Sequence, residues 1–236
     1  MIPDLFGTSS LWVSAKDFGG ILGLEVQQNL LKLSSRFKKR IFDVFIASVL
    51  SIIALPLFLI ISFFIWLDSR GRVFFKQVRM GIGHKNFSIV KFRTMHRDAE
   101  KRLHDLLEQN PRMKEEYEVY HKIKNDPRLT KLGKILRKFS MDELPQFWNV
   151  IKGEMSLIGP RAYIPYERDS MMGQDEIILK VKPGISGLWQ VTDRNQSSFE
   201  ERICTDVYYI RNWSMFLDFY ILARTIGVVI LGKGAY

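Results

Sequence analysis

Asp142 and Glu143 stand side by side in Ser140-Met141-Asp142-Glu143-Leu144-Pro145-Gln146-Phe147-Trp148-Asn149, and adjacent carboxylates can do two different jobs. One can attack phosphorus and carry it covalently, while its neighbour holds a hard cation such as magnesium that bridges phosphate oxygens. The same residues also fit a structural role. Ser140 as N-cap and Glu143 three residues on would form a capping box ahead of Leu144, Phe147 and Trp148. Pro145 suits that register poorly, because inside the helix it removes an amide donor. At the first helical position it fits, and the acidic pair then lies at the helix entrance. There the helix dipole favours carboxylates and phosphoryl oxygens and keeps Asp142 ionised. Residue types alone leave both readings open.

Phosphate chemistry needs cations, and the chain has them in excess: 236 residues carry a net charge of +10. The balance points to a polyanionic partner, whether phosphorylated ligands, an anionic membrane surface or nucleic acid. No stacking-aromatic motif or recognition helix accompanies the charge, so nucleic acid is not an expected partner. Leu129, Leu132, Leu136 and Phe139 recur at helical spacing, and Lys131, Lys134, Arg137 and Lys138 fill the rest of that helix, next to the acidic pair. Lys91, Arg93, Arg137, Arg161 and Arg194 are candidate phosphate binders, since guanidinium groups suit bidentate phosphate contacts. Each has ordinary surface charge as its alternative. Gln190 is a weaker candidate beside a nucleotide, with a structural strand residue as its alternative. The lone Cys204 excludes an intrachain disulfide and a cysteine zinc site, and His96, His104 and His121 lack a metal-ligand layout.

These residues need a frame. From Val44 to Leu67 no residue is charged, a stretch long enough to cross a bilayer as one helix. Two features favour a re-entrant helix-break-helix. Pro56 interrupts the middle, and both flanks are basic: Arg36, Lys38, Lys39 and Arg40 before, Arg70, Arg72, Lys76 and Arg79 after. Asp43 is expected at the hydrated rim. Val73–Arg79 and Phe87–Thr94 read as a hairpin around Gly81-Ile82-Gly83. Residues 96–124, interrupted by Pro111, read as a solvated helical pair. Trp213 to Leu231, broken by Asp218 and Arg224, reads as a helix lying on a membrane surface or packed on the domain. The expected organisation is a remnant or extension over 1–30, a basic helix and re-entrant membrane helix over 31–72, and a catalytic domain with a C-terminal interfacial helix over 73–236.

Several ordered blocks resemble one family. Met141-Asp142-Glu143-Leu144-Pro145-Gln146 resembles the catalytic motif of the monotopic phosphoglycosyl transferases, the bacterial sugar transferases. Lys91-Phe92-Arg93-Thr94-Met95, Asn125-Asp126-Pro127-Arg128, Met155-Ser156-Leu157-Ile158-Gly159-Pro160-Arg161, the run from Lys182 to Val191 and Arg194-Asn195 are similar to its other blocks, and the likeness runs from about Arg36 to Tyr236. Ala162 departs from the proline usual after Gly-Pro-Arg, and Thr192-Asp193 from the usual pair before Arg-Asn.

The resemblance implies an α/β, mostly helical, monotopic membrane protein with a compact cytoplasmic catalytic domain and amphipathic surface helices, on the cytoplasmic face of the bacterial inner membrane. It implies that Asp142 attacks the β-phosphate of a UDP-sugar, releases UMP and passes the phosphosugar to undecaprenyl phosphate, with Glu143 holding Mg2+. UDP-galactose leads as donor, on the likeness of 2–7, 20–25 and 234–236 to galactose-transferring members, with UDP-glucose or N-acetylated donors behind it. A non-catalytic membrane scaffold of the same fold is the competing reading, and a homodimer is compatible with either.

Overall fold

A computed structural model describes residues 13–17, 22–26, 29–68, 71–109, 126–192 and 198–232, with backbone alone at 13–26. Strands β1 (Val13–Asp17) and β2 (Leu22–Val26) pair antiparallel, Val13 opposite Val26, so the expected N-terminal extension holds a short ladder. Helix α1 (Leu33–Asp68) follows. The helix is not broken at Pro56, because residues on both sides remain helical. Proline removes only its own donor, and the long apolar runs on either side keep their hydrogen bonds, so the expected gap is corrected to a continuous helix. Ser51 and Ser62 satisfy their hydroxyls by donating to the Ala47 and Phe58 carbonyls one turn back.

Only 11% of the most apolar window of α1 is buried, and Ile52 is 72% exposed. A helix in a soluble core would be largely covered; this one offers an apolar surface that a membrane would cover. Its two halves nevertheless meet the rest of the chain. Lys39, Asp43 and Ala47 are buried before Pro56, and Ile61 and Ile65 after it.

Strands β3 (Phe74–Met80) and β4 (Asn86–Phe92) form the expected antiparallel hairpin, Phe75 opposite Lys91, closed by a tight turn in which Gly83 takes φ +65°. Helix α2 (Ala99–Gln109) is charged, with no buried residue. The second half of the expected helical pair lies outside the described residues. Helix α3 (Lys131–Lys138) is capped by Thr130, whose Oγ1 accepts the Gly133 amide at 2.9 Å. Its Leu132 and Leu136 pack with Phe92 against Phe58, Ile61 and Ile65 of α1. A Cβ on Gly133 would lie 2.0 Å from the Thr94 carbonyl oxygen, so only glycine lets α3 touch the exit of β4.

A short 3-10 turn, Met141–Glu143, leads into α4 (Gln146–Lys152). Strand β5 (Ser156–Ile158), α5 (Asp175–Ile178), β6 (Gly184–Ser186), α6 (Leu188–Thr192), α7 (Phe199–Arg211) and α8 (Met215–Leu231) complete the order. β5 and β6 run parallel, Ser156 opposite Gly184. The architecture is mostly helical with small sheets, as expected. The main core gathers Met80, Val150, Ile158, Tyr163, Ile203, Tyr209 and Ile221.

A buried ionic clamp fixes α1 to α8. Lys39 Nζ lies 2.6 Å from Asp218 Oδ2, and Asp218 also accepts from Tyr209 Oη (2.7 Å) and Trp213 Nε1 (3.0 Å). Asp43 accepts from Ser156 Oγ (2.7 Å) and the Leu157 amide (3.2 Å). One expectation is corrected here: Asp43 is buried rather than hydrated. Of the two placements open for the helix that follows Trp213, the start packs on the domain, with Trp213 and Asp218 both buried. Buried charge of this kind is tolerated because each group has an opposite charge and its hydrogen bonds. Outside the clamp, α8 exposes Phe216, Phe219, Ile226 and Ile230.

Candidate active site

The acidic pair sits between α3 and α4, and its capping-box reading fails. Ser140 takes φ +52° and makes no side-chain cap bond, whereas Pro145 precedes the first residue of α4. The pair therefore lies at the helix entrance, one of the two readings the sequence left open. Asp142 is only 9% exposed. Burial lifts its pKa to about 6 against the pull of Lys91, with Glu143 adding to the rise and Arg137 opposing it. The helix dipole expected to favour the charged form is therefore not what dominates this pKa. α4 has seven residues and starts only at Gln146, so desolvation outweighs it. At neutral pH the carboxylate is still mostly ionised.

A cleft of about 850 Å³ opens over the pair. It brings together every predicted site residue that is described: Lys91, Arg93, Arg137, Asp142, Glu143, Arg161 and Gln190. Arg194 lies outside the described residues. The hairpin delivers its share by alternation. Phe75, Gln77 and Arg79 on β3, Ile89 and Lys91 on β4, and Arg93 just beyond line one face. Lys91 donates to Glu143 Oε1 at 2.7 Å. Arg137 donates from Nε to Thr94 Oγ1 at 3.0 Å, a bond that the close approach at Gly133 permits. Burial holds the Arg137 and Arg93 pKa values below the usual guanidinium range, with Arg97 adding to the effect at Arg93. Gln190 belongs to α6 rather than to a strand, and its Nε2 donates to the Ile185 carbonyl at 3.4 Å.

Arg79, Arg128, Gln146 and Trp189 are among the lining residues that the sequence did not mark as site residues. Arg79 was legible in principle, since it lies two and four residues from the other β3 positions that share the Lys91 face. Arg128 is held by a bidentate pair with Asp126, Nε to Oδ1 at 2.8 Å and Nη2 to Oδ2 at 2.7 Å. As for a metal, Glu143 and Asp142 offer hard carboxylate oxygens, and the Glu143 side chain keeps 23% of its surface exposed. That donor set fits magnesium shared with a phosphate ligand.

A carboxylate pair sunk in a cationic cleft thus lies in the same chain as a long apolar helix left largely uncovered, a combination compatible with a membrane-associated protein. The chain belongs to the bacterial sugar transferase family, whose model matches residues 34–232. It is 40% identical over 232 residues to the UDP-galactose-lipid carrier transferase of Erwinia amylovora, covering 98% of this chain and 48% of the relative. It is 40% identical over 216 residues to the undecaprenyl-phosphate galactose phosphotransferase of Salmonella typhimurium, covering 92% and 45%. It is 33% identical over 243 residues to the UDP-glucose:undecaprenyl-phosphate glucose-1-phosphate transferase of Klebsiella pneumoniae, covering 100% and 49%. The chain thus spans about half the length of these relatives.

Proposed function

We propose that this chain transfers a sugar 1-phosphate from a UDP-sugar to undecaprenyl phosphate, as a membrane step in O-antigen, capsule or exopolysaccharide synthesis. The observation that carries the reading is the burial of Asp142 in a cleft whose walls supply Lys91, Arg93, Arg137 and Arg161. The Asp142 carboxylate oxygen attacks the β-phosphorus, and the bridging oxygen leaves with its electron pair as UMP. An oxygen of undecaprenyl phosphate then attacks the same phosphorus and restores the carboxylate. Two polyanions thereby take turns in one cationic cleft instead of repelling each other within it. Lys91, Arg93 and Arg137 stabilise the charge that gathers on the phosphoryl oxygens. Glu143 would hold magnesium, which when bound would polarise the phosphoryl oxygens.

Galactose is the leading sugar, because two of the similar relatives carry it in their names. Glucose is the alternative on the third.

The re-entrant topology has support in the packing of α1. Residues on both sides of Pro56 rest on the same domain, which favours both ends of the helix on one face of the membrane. With basic residues at both ends, that face is the cytoplasmic side of the inner membrane. Purified protein in detergent with magnesium, undecaprenyl phosphate and a panel of UDP-sugars tests the activity. UMP release that Asp142→Asn abolishes supports the reading, and wild-type turnover by Asp142→Asn refutes it.

A further inference from the structure

One wall of the cleft carries more positive charge than the acidic pair answers. Arg79, near the end of β3, and Arg161, in the segment after β5, both line it. Arg202 of α7 stands behind. Its guanidinium lies 5.1 Å from the Trp189 ring centroid, and that of Arg161 lies 5.8 Å from the same ring. The indole is a shared platform, and cation–π attraction offsets part of the repulsion between the guanidinium groups. Burial, then the neighbouring Arg161, holds Arg79 down to about 10 and pushes Arg202 down as well.

Among the described residues, little negative charge answers Arg79 and Arg161. Arg161 Nη2 meets Glu167 Oε1 only at 3.4 Å, and the other oxygen of Glu167 is taken by the Ile164 amide at 2.7 Å. Arg79 spends its terminal nitrogens on neutral oxygens, the Ala162 carbonyl (2.9 Å) and Gln77 Oε1 (2.7 Å). Asp206 accepts the backbone amide of Arg161 at 2.9 Å and the Tyr163 hydroxyl at 2.8 Å. Arg79 Nε, Arg161 Nε and Trp189 Nε1 are buried without a hydrogen-bond partner. Like charges packed together with orphaned donors are unfavourable until an anion joins them.

We propose that Arg79, Arg161 and Arg202, backed by Trp189, form a second phosphate seat that takes a phosphomonoester dianion, apart from the phosphorus attacked at Asp142. A monoester matches a cluster of cations better than a diester does, because it brings nearly two charges and more acceptor oxygens to one phosphorus. The transferase reading supplies two such esters, the leaving UMP and the incoming polyprenyl phosphate. The identity of the ester rests on that reading, whereas the seat rests on the arginines.

The test uses the full chain in detergent with Asp142→Asn, so that no phosphosugar forms, and calorimetric titration with UMP and, separately, with citronellyl phosphate as a short polyprenyl phosphate. Arg202→Gln should weaken binding of at least one ester about tenfold. Arg79→Lys, which keeps the charge but not the planar fork, should weaken it about fivefold and serves as the second variant should Arg202→Gln fail to fold. Lys85→Gln, in the exposed hairpin turn outside the cleft lining, should change it by less than about threefold. Loss for UMP alone assigns the seat to the leaving group, loss for citronellyl phosphate alone to the acceptor, and loss for both to a shared seat. Binding of both esters by Arg202→Gln and Arg79→Lys within about twofold of the parent overturns the proposal. Turnover of UDP-sugars by the unmodified chain is scored separately. Turnover with unchanged ester binding removes the seat alone, and lost ester binding without turnover removes the transferase reading alone.

Discussion

The Lys91 ammonium lies 2.7 Å from Oε1 of Glu143, so the cation that β4 carries into the cleft is bonded to the second carboxylate and not to Asp142. Asp142 feels Lys91 through the field alone, as the strongest pull against the burial that raises its pKa. Its carboxylate is left without a side-chain hydrogen bond among the described residues, the condition of a nucleophile ready to attack. Lys91→Met should therefore do two things. UMP release at pH 7 should fall by about a hundredfold or more, and the acid limb of the pH–rate profile should move to higher pH. Lys91→Arg should keep part of the rate, and a limb that stays in place in Lys91→Met would contradict this coupling.

The buried Asp142 also predicts a pH-dependent trade between activity and stability. Its folded pKa, about 6, is above the ordinary 3.8, so folding favours the protonated form. Ionised Asp142 thus destabilises the free protein, by an amount that grows as pH rises from about 4 through about 6 and levels off near 2–3 kcal/mol. Asp142→Asn should melt higher than the parent at pH 7.5, and the difference should close near pH 4. Activity should run the other way, falling about tenfold per unit below pH 6 as the nucleophile is protonated. Thermal melts of both proteins across that range, without ligand, check the sign.

The clamp between α1 and α8 should be sensitive to removal of one partner. Lys39→Met leaves Asp218 buried beside Tyr209 and Trp213 with no cation at 2.6 Å, and Asp43 also loses its nearest positive charge, at 3.8 Å. The expected loss is about 3–5 kcal/mol by denaturant titration in detergent. Lys39→Met combined with Asp218→Leu should recover part of it, because no uncompensated charge remains at that position.

How much of this was legible follows the range of the contacts. The hairpin was readable, because a strand face repeats every second residue and a glycine turn sets the register. The acidic pair, Lys91, Arg137 and Arg161 were readable from the local blocks that contain them. The clamp was not. Lys39 and Asp218 are separated by 179 positions, and a charge within an apolar run reads as solvent-facing until its partner is known. Pro56 misled in another way. Local chemistry forecast a break, but one missing donor does not interrupt a helix bonded on both sides. Trp189 and Arg202 were missed because their link is a stacking contact with no sequence period.

The topology of α1 yields to labelling. Cys204 is free and exposed, so it should first be replaced by serine. Single cysteines at the exposed positions Lys38 and Arg72 should then react with a membrane-impermeant maleimide from the same side in oriented vesicles. Labelling from opposite sides would establish a spanning helix and remove the re-entrant reading.

The most direct test of the central claim is intact-protein mass spectrometry of the chain incubated with magnesium and UDP-galactose, without undecaprenyl phosphate, and quenched in acid. A mass increase of one sugar phosphate is expected, mapped by fragmentation to Asp142, absent from Asp142→Asn and discharged when undecaprenyl phosphate is added. UMP release in step with lipid product, with no adduct on Asp142 at any time after mixing, would contradict it.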